Sequence, residues 1–127
     1  MPTIFSKIVA GELPCHRIWE DEKHLAFLDI RPTQKGHTLV IPKREVAYLF
    51  DLEPDEHADL WRAVQTVSKQ LKERLGCERV VVLVIGWEVP HVHVHLIPTN
   101  AMHQVSMPPP CEVSEEEMLG LVKTLSF

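Results

Sequence analysis

The chain has 127 residues, 45% of them hydrophobic and 24% charged, and a formal net charge of −5. That length predicts one domain, residues 1–127, able to hold a core without staples, and the acidic balance argues against a binder of nucleic-acid backbone. The cysteines Cys15, Cys77 and Cys111 are odd in number and widely spaced, which argues against a disulfide framework and for a reducing, cytoplasmic setting; no apolar run reaches the length of a membrane span, and the opening MPTIFSKIVAGELP lacks the long apolar core of a signal peptide.

Ile4, Phe5 and Ile8 share one helical stripe, which predicts a short N-terminal helix packed on the core. Arg17 to Glu20 reads as a short strand, and Asp21-Glu22-Lys23 as a charged turn. Leu25 to Ile30 reads as a second strand, ended by Arg31-Pro32. Asp29, behind that apolar run, is either satisfied in a turn or placed to accept two hydrogen bonds from a vicinal diol, as on a ribose. Gly36 to Pro42 reads as a third strand; His37 at its start is, by residue type alone, a surface histidine.

Pro54 to Leu75 is the longest expected helix. Pro54 suits its first turn, Leu60, Val64, Val67 and Leu71 recur at helical spacing, and Gly76 is the expected stop. That stripe is core or subunit interface. Val80 to Ile85 is a continuous apolar run, expected as a buried strand. Thr99 to Pro110 reads as a loop. Ser114 with Glu117 forms a capping box, Glu115 to Glu117 suit a first helical turn, and Met118, Leu121, Val122 and Leu125 then predict an amphipathic C-terminal helix.

His91 to Pro98 carries the chemistry. Strict alternation of histidine with valine predicts a strand, with His91, His93 and His95 on one face, Val92, Val94 and Leu96 on the other, and Pro98 at its end. Three readings are open. The imidazoles are a solvated face, a metal site or a catalytic row. Same-face neighbours on a strand are about 6.6 Å apart and the outer pair about 13 Å, whereas zinc needs each ligand nitrogen about 2 Å from one point. A metal would therefore need ligands from elsewhere, such as His37 or His103. A catalytic row needs no such convergence: one imidazole attacks, and its neighbours orient it and bind the charge. Local imidazoles and N–H groups can hold an anionic small molecule despite the net charge.

The pattern His-φ-His-φ-His-φ-φ, with φ apolar, filled by His91 to Ile97, resembles the signature of the histidine triad (HIT) family of nucleotide hydrolases and transferases. The blocks IFSKIVAGELP, LAFLDIRP and GHTLVIP extend the resemblance over Ile4 to Pro98, and the first resembles the Hint-like branch of phosphoramidases. The resemblance implies an α+β fold: about five antiparallel strands, a long helix, and short N- and C-terminal helices. It implies a homodimer with a continuous sheet, no cofactor and no metal. It also implies that His93 attacks the α-phosphorus of a purine nucleotide to form a nucleotidyl-histidine, which water or another acceptor resolves. His95 would bind phosphate oxygens and assist the leaving group; His91 would hold His93, with His37 behind. Phe5, Ile8, Leu13, Phe27, Leu28 and Ile30 would surround the base, and Asp29 would hold the ribose.

The loop before the triad departs from that pattern. Gly86 keeps the family's glycine at the phosphate, but Trp87 stands where glutamine is usual and Glu88 where a hydroxyl often lies. A carboxylate beside a phosphate is costly, so Glu88 either points out or meets a cation brought by the substrate, such as an ammonium leaving group. Ser6 stands at a position where some members carry a zinc-binding cysteine, and the chain has no Cys-x-x-Cys, so no structural zinc is expected. A phosphoramidate, a dinucleoside polyphosphate and a nucleotide sugar all remain open as substrates; the Hint-like opening favours a purine mononucleotide with an amine leaving group. The alternative is a nucleotide-binding regulatory module with little turnover.

Overall fold

The computed structural model describes residues 2–127. Five strands, β1 (Arg17–Glu20), β2 (His24–Leu28), β3 (Thr38–Pro42), β4 (Arg79–Leu83) and β5 (Val94–Thr99), form one antiparallel sheet in the order β1-β2-β3-β5-β4. Helices α1 (Ile4–Val9), α2 (Pro54–Leu75) and α3 (Glu115–Leu125) complete the α+β architecture expected from the sequence.

The two sheet faces bury different partners. Leu60, Ala63, Val64, Val67 and Leu71 of α2 pack on Ala26, Val40, Val92, Val94 and Leu96. On the other face, Phe5 and Ile8 of α1 pack with Leu25, Phe27, Leu39 and Ile41. Strand residues two apart share a face, so the inner strands are apolar on both.

Helix α2 starts and stops as its sequence dictates. The Glu56 carboxylate accepts the Glu53 N–H at 3.1 Å and two hydrogen bonds from Arg44, each 2.6 Å. The guanidinium holds the Glu56 carboxyl down to about 2. Gly76 closes the helix at φ 66°, a left-handed position that glycine takes without Cβ strain.

Five expectations are corrected. The triad strand begins at Val94, not His91. The β3–β5 ladder starts at Val40↔Val94, because the next β3 carbonyl, on Pro42, accepts from the His91 ring at 2.8 Å instead, and the Val92 N–H bonds Val46 O. Pro98 lies inside β5 rather than at its end, opposite Val80. It stands past the last β3 partner, where β5 has one neighbour only and a missing N–H is tolerated. β2 stops at Leu28, since the Asp29 carboxylate accepts the Arg31 N–H and turns the chain. β4 is an edge strand, not a buried one: Val82 is 43% and Leu83 42% exposed. In α1, Ile4 faces solvent while Phe5 and Ile8 are buried.

Helix α3 is capped as expected, with the Ser114 hydroxyl accepting the Glu117 N–H, but none of its residues is buried. Among the described residues no helix is long and apolar enough to cross a membrane.

Candidate active site

His91, His93, His95 and His37 meet on the α1 face of the sheet. In the β3–β5 register His95 lies opposite Leu39, which makes His37 its diagonal neighbour, within reach of long side chains. His37, His91 and His93 are buried and His95 is half-buried. The Phe5 ring packs edge-on to His93 with centroids 4.9 Å apart, and also touches His91 and Phe27.

Fixed donors and acceptors around the rings decide which nitrogen carries each proton. A backbone carbonyl can only accept, and a backbone N–H can only donate. His93 Nδ1 lies 2.7 Å from the His91 carbonyl oxygen, so Nδ1 carries the proton and Nε2 keeps a free lone pair. His91 Nε2 lies 2.8 Å from Pro42 O, so Nε2 carries the proton and Nδ1 accepts, from Thr3 Oγ1 at 2.9 Å. The Thr33 N–H donates to His37 Nδ1 at 3.1 Å, so His37 is protonated on Nε2. That Nε2–H donates to His95 Nδ1 at 2.9 Å, which leaves the His95 proton on Nε2. His93 thus presents an unprotonated nitrogen and its neighbour His95 an N–H, with ring centroids 5.1 Å apart.

The surroundings disfavour the charged form of His91, His95 and His37. Burial pushes the His91 imidazole below its ordinary value, against the opposing bond to Pro42 O. Burial also lowers His95, helped by repulsion from His93 and His37 and opposed by Asp29 and Glu88. His37 is lowered by burial, with Asp29 opposing.

Asp29 is half-buried at the same edge, with Oδ2 3.5 Å from His37 Nε2 and Oδ1 accepting the Arg31 N–H at 2.8 Å. Among the described residues, Asp29, His37 and His95 form a group whose donor atoms lie within 4.8 Å of one another, a spacing that could hold a cation. The two nitrogens are already spent on each other.

The remaining sequence candidates are spread out. Phe5, Ile8 and Phe27 are buried beside the imidazoles. Leu13 and Ile30 are exposed, Ile30 at 79%. Leu28 lines a cavity of about 820 Å³ against α2, with Trp19, Leu71 and Leu75, away from the imidazoles. A smaller cavity of about 320 Å³ reaches His93 and is bordered by Tyr48, Phe50, Trp61, Ile85 and Gly86. In the loop after it, Gly86 turns the chain at φ 81°, Trp87 is 91% exposed, and Glu88 is exposed.

Sequence reading missed Thr3, Thr33 and the Pro42 carbonyl, which set the tautomers of His91, of His37 and, through His37, of His95. Thr3 carries a local signal, as the N-cap of α1; its contact 88 residues away carries none.

Residues 10–102 match the family described as the HIT domain. An adenosine 5′-monophosphoramidase of Schizosaccharomyces pombe is 38% identical over 133 aligned positions, covering 99% of this chain and 97% of that protein. An uncharacterized HIT-like protein of Methanocaldococcus jannaschii is 42% identical over 100 positions, 75% of this chain and 77% of that one. The crystal structure of a HIT family member from Bacillus subtilis superposes with a TM-score of 0.86 at 27% identity, covering 99% of this chain and 96% of that chain. On the strength of the domain match and these near full-length likenesses, the chain belongs to the HIT family.

Proposed function

We propose that the protein is a metal-independent nucleotide hydrolase or transferase that acts at the α-phosphate of a purine nucleotide, with a phosphoramidate as the favoured substrate class. The observation that carries this reading is the tautomer of His93: Nδ1–H is held by the His91 carbonyl, and Nε2 is free to attack. The bond from Nε2 to phosphorus forms as the bond to the leaving group breaks. His95, with its proton on Nε2, donates to a phosphoryl oxygen beside it. Water or another acceptor then displaces His93. The fission-yeast relative is named as a monophosphoramidase, which supports an amine as leaving group. An amine that binds as its ammonium form needs no further proton, and Glu88, whose charge is felt at His95, favours that cation.

Phe5, Ile8 and Phe27 supply an apolar wall beside the imidazoles for the base, and the Asp29 carboxylate, with Oδ1 on the Arg31 N–H and Oδ2 3.5 Å from His37 Nε2, keeps lone pairs that can take a ribose hydroxyl. The exposed apolar edge of β4 supports a homodimer joined there, and the three free cysteines support a cytoplasmic setting.

Release of AMP from adenosine 5′-phosphoramidate, measured in EDTA beside His93→Ala, tests the reading. Turnover by the wild type with a loss of about a thousandfold or more in the variant supports it. A wild type that binds AMP but releases none from the phosphoramidate or from a panel of dinucleoside polyphosphates overturns it in favour of a binding module.

A further inference from the structure

Thr3 Oγ1 lies 2.9 Å from His91 Nδ1, and both side chains are buried. Because His91 Nε2–H is taken by Pro42 O, Nδ1 is a lone pair and the threonine hydroxyl must donate to it. The same hydroxyl oxygen accepts the Ser6 N–H at 3.0 Å, as N-cap of α1. Glu45 anchors this turn: its Oε1 accepts the Thr3 N–H at 2.8 Å and the Ser6 hydroxyl at 2.7 Å. Thr3 is thus tied at its hydroxyl and at its N–H before it meets the imidazole.

We propose that Thr3 is a positioning residue for the reaction: its hydroxyl fixes the tautomer and ring angle of His91, and the His91 carbonyl so held keeps the Nδ1–H of His93 in place. The proposal rests on the reading of His93 as nucleophile. Without the donor, a buried Nδ1 is left unpaired or takes the proton itself. In the second case Nε2 loses its hydrogen and faces the Pro42 carbonyl as acceptor against acceptor. Either outcome turns the ring and, with it, the peptide whose carbonyl holds His93. Ser6 cannot substitute as it stands, because its Oγ is 3.4 Å from Nδ1 and donates to Glu45. Thr3 therefore links α1, which packs Phe5 on His93, to the tautomer of the attacking ring.

Nitrogen-15 spectra of the histidine rings, recorded on the wild-type protein, test the first half directly. The expected spectrum shows His91 protonated on Nε2; a His91 protonated on Nδ1 overturns the proposal without any variant being made. Kinetics of Thr3→Ser and Thr3→Val test the second half. Thr3→Ser is expected to keep kcat within about twofold, while folded Thr3→Val loses about tenfold in kcat with KM changed by less, the scale of one hydrogen bond. In Thr3→Val the His91 signals are expected to leave the pure Nε2–H pattern. A folded Thr3→Val with wild-type kcat overturns the proposal. So does a kcat loss in Thr3→Val with the His91 signals unchanged, since that is the signature of a lost helix cap alone, the cap that Thr3→Ser keeps. If His93→Ala keeps wild-type turnover, the nucleophile reading fails and takes the kinetic half of the proposal with it, and the His91 spectrum still reports on the tautomer.

Discussion

His93 donates its Nδ1–H to the carbonyl oxygen of His91, two residues back, across 2.7 Å. That bond leaves Nε2 without a proton and would give the proposed phosphoryl adduct on it an acceptor for the Nδ1–H behind the ring. A radiolabelled substrate quenched in alkali, where a phosphorus–nitrogen bond to histidine survives, is expected to leave label on the wild-type chain and none on His93→Ala. Label that persists in His93→Ala would assign the nucleophile to another residue.

Gly36 controls the approach of His37. It sits at φ +89°, and a Cβ there would lie 2.5 Å from Leu75 Cδ1 and 3.3 Å from Pro98 Cγ. The leucine tip can move aside, but the backbone conformation stays strained for any other residue. Gly36→Ala is expected to cost about 1–3 kcal/mol in denaturant unfolding and to lower kcat, because the strain falls on the peptide next to His37. Unchanged stability together with unchanged kcat would refute both statements.

The lowered histidines make stability depend on pH with a definite sign. His37, His91 and His95 are all held below the ordinary value of 6.5, chiefly by burial. As pH falls past that value the unfolded chain takes up protons that the folded rings refuse. Stability is therefore complete above 6.5 and is lost as pH falls through the folded values. Urea midpoints measured at pH about 7.5, 6 and 5 are expected to decline in that order, above the range where carboxylates such as Glu56 contribute. A midpoint that is flat or rises toward acid would contradict the neutral, buried state of these rings.

The edge of β4 carries the oligomer prediction. Val82 and Leu83 are exposed on a strand that, among the described residues, has no partner on its outer side, and an apolar edge of this kind pairs readily. Light scattering is expected to give twice the chain mass for the wild type and the single-chain mass for Val82→Lys combined with Leu83→Lys. A monomeric wild type would remove the proposed joint.

Local periodicity made half of this site legible. Val92, Val94 and Leu96 do enter the α2 core and the histidines do take the opposite face, because side-chain parity depends only on neighbours in sequence. Pro54 and Gly76 bound α2 for equally local reasons. The bond between His37 and His95 depends instead on β3 lying beside β5 with β4 pushed to the edge, a pairing between distant segments that no local pattern encodes. The same gap explains β4, since a run of valines reads alike whether its outer side meets another strand or water. It explains α3 as well: an amphipathic pattern states which face wants burial and not whether anything covers it.

The His91 ring occupies the Pro42 carbonyl that a neighbouring strand would otherwise use. The apolar core alone is nearly blind to a slip of β5 by two residues, since valine and leucine would still land on the α2 face. The imidazoles are not blind to it. Such a slip would pull the His91 ring off Pro42 and part His95 from His37 in one step. The rings therefore proofread strand alignment, and turnover by a refolded sample doubles as a count of the molecules whose sheet has closed in its one correct register.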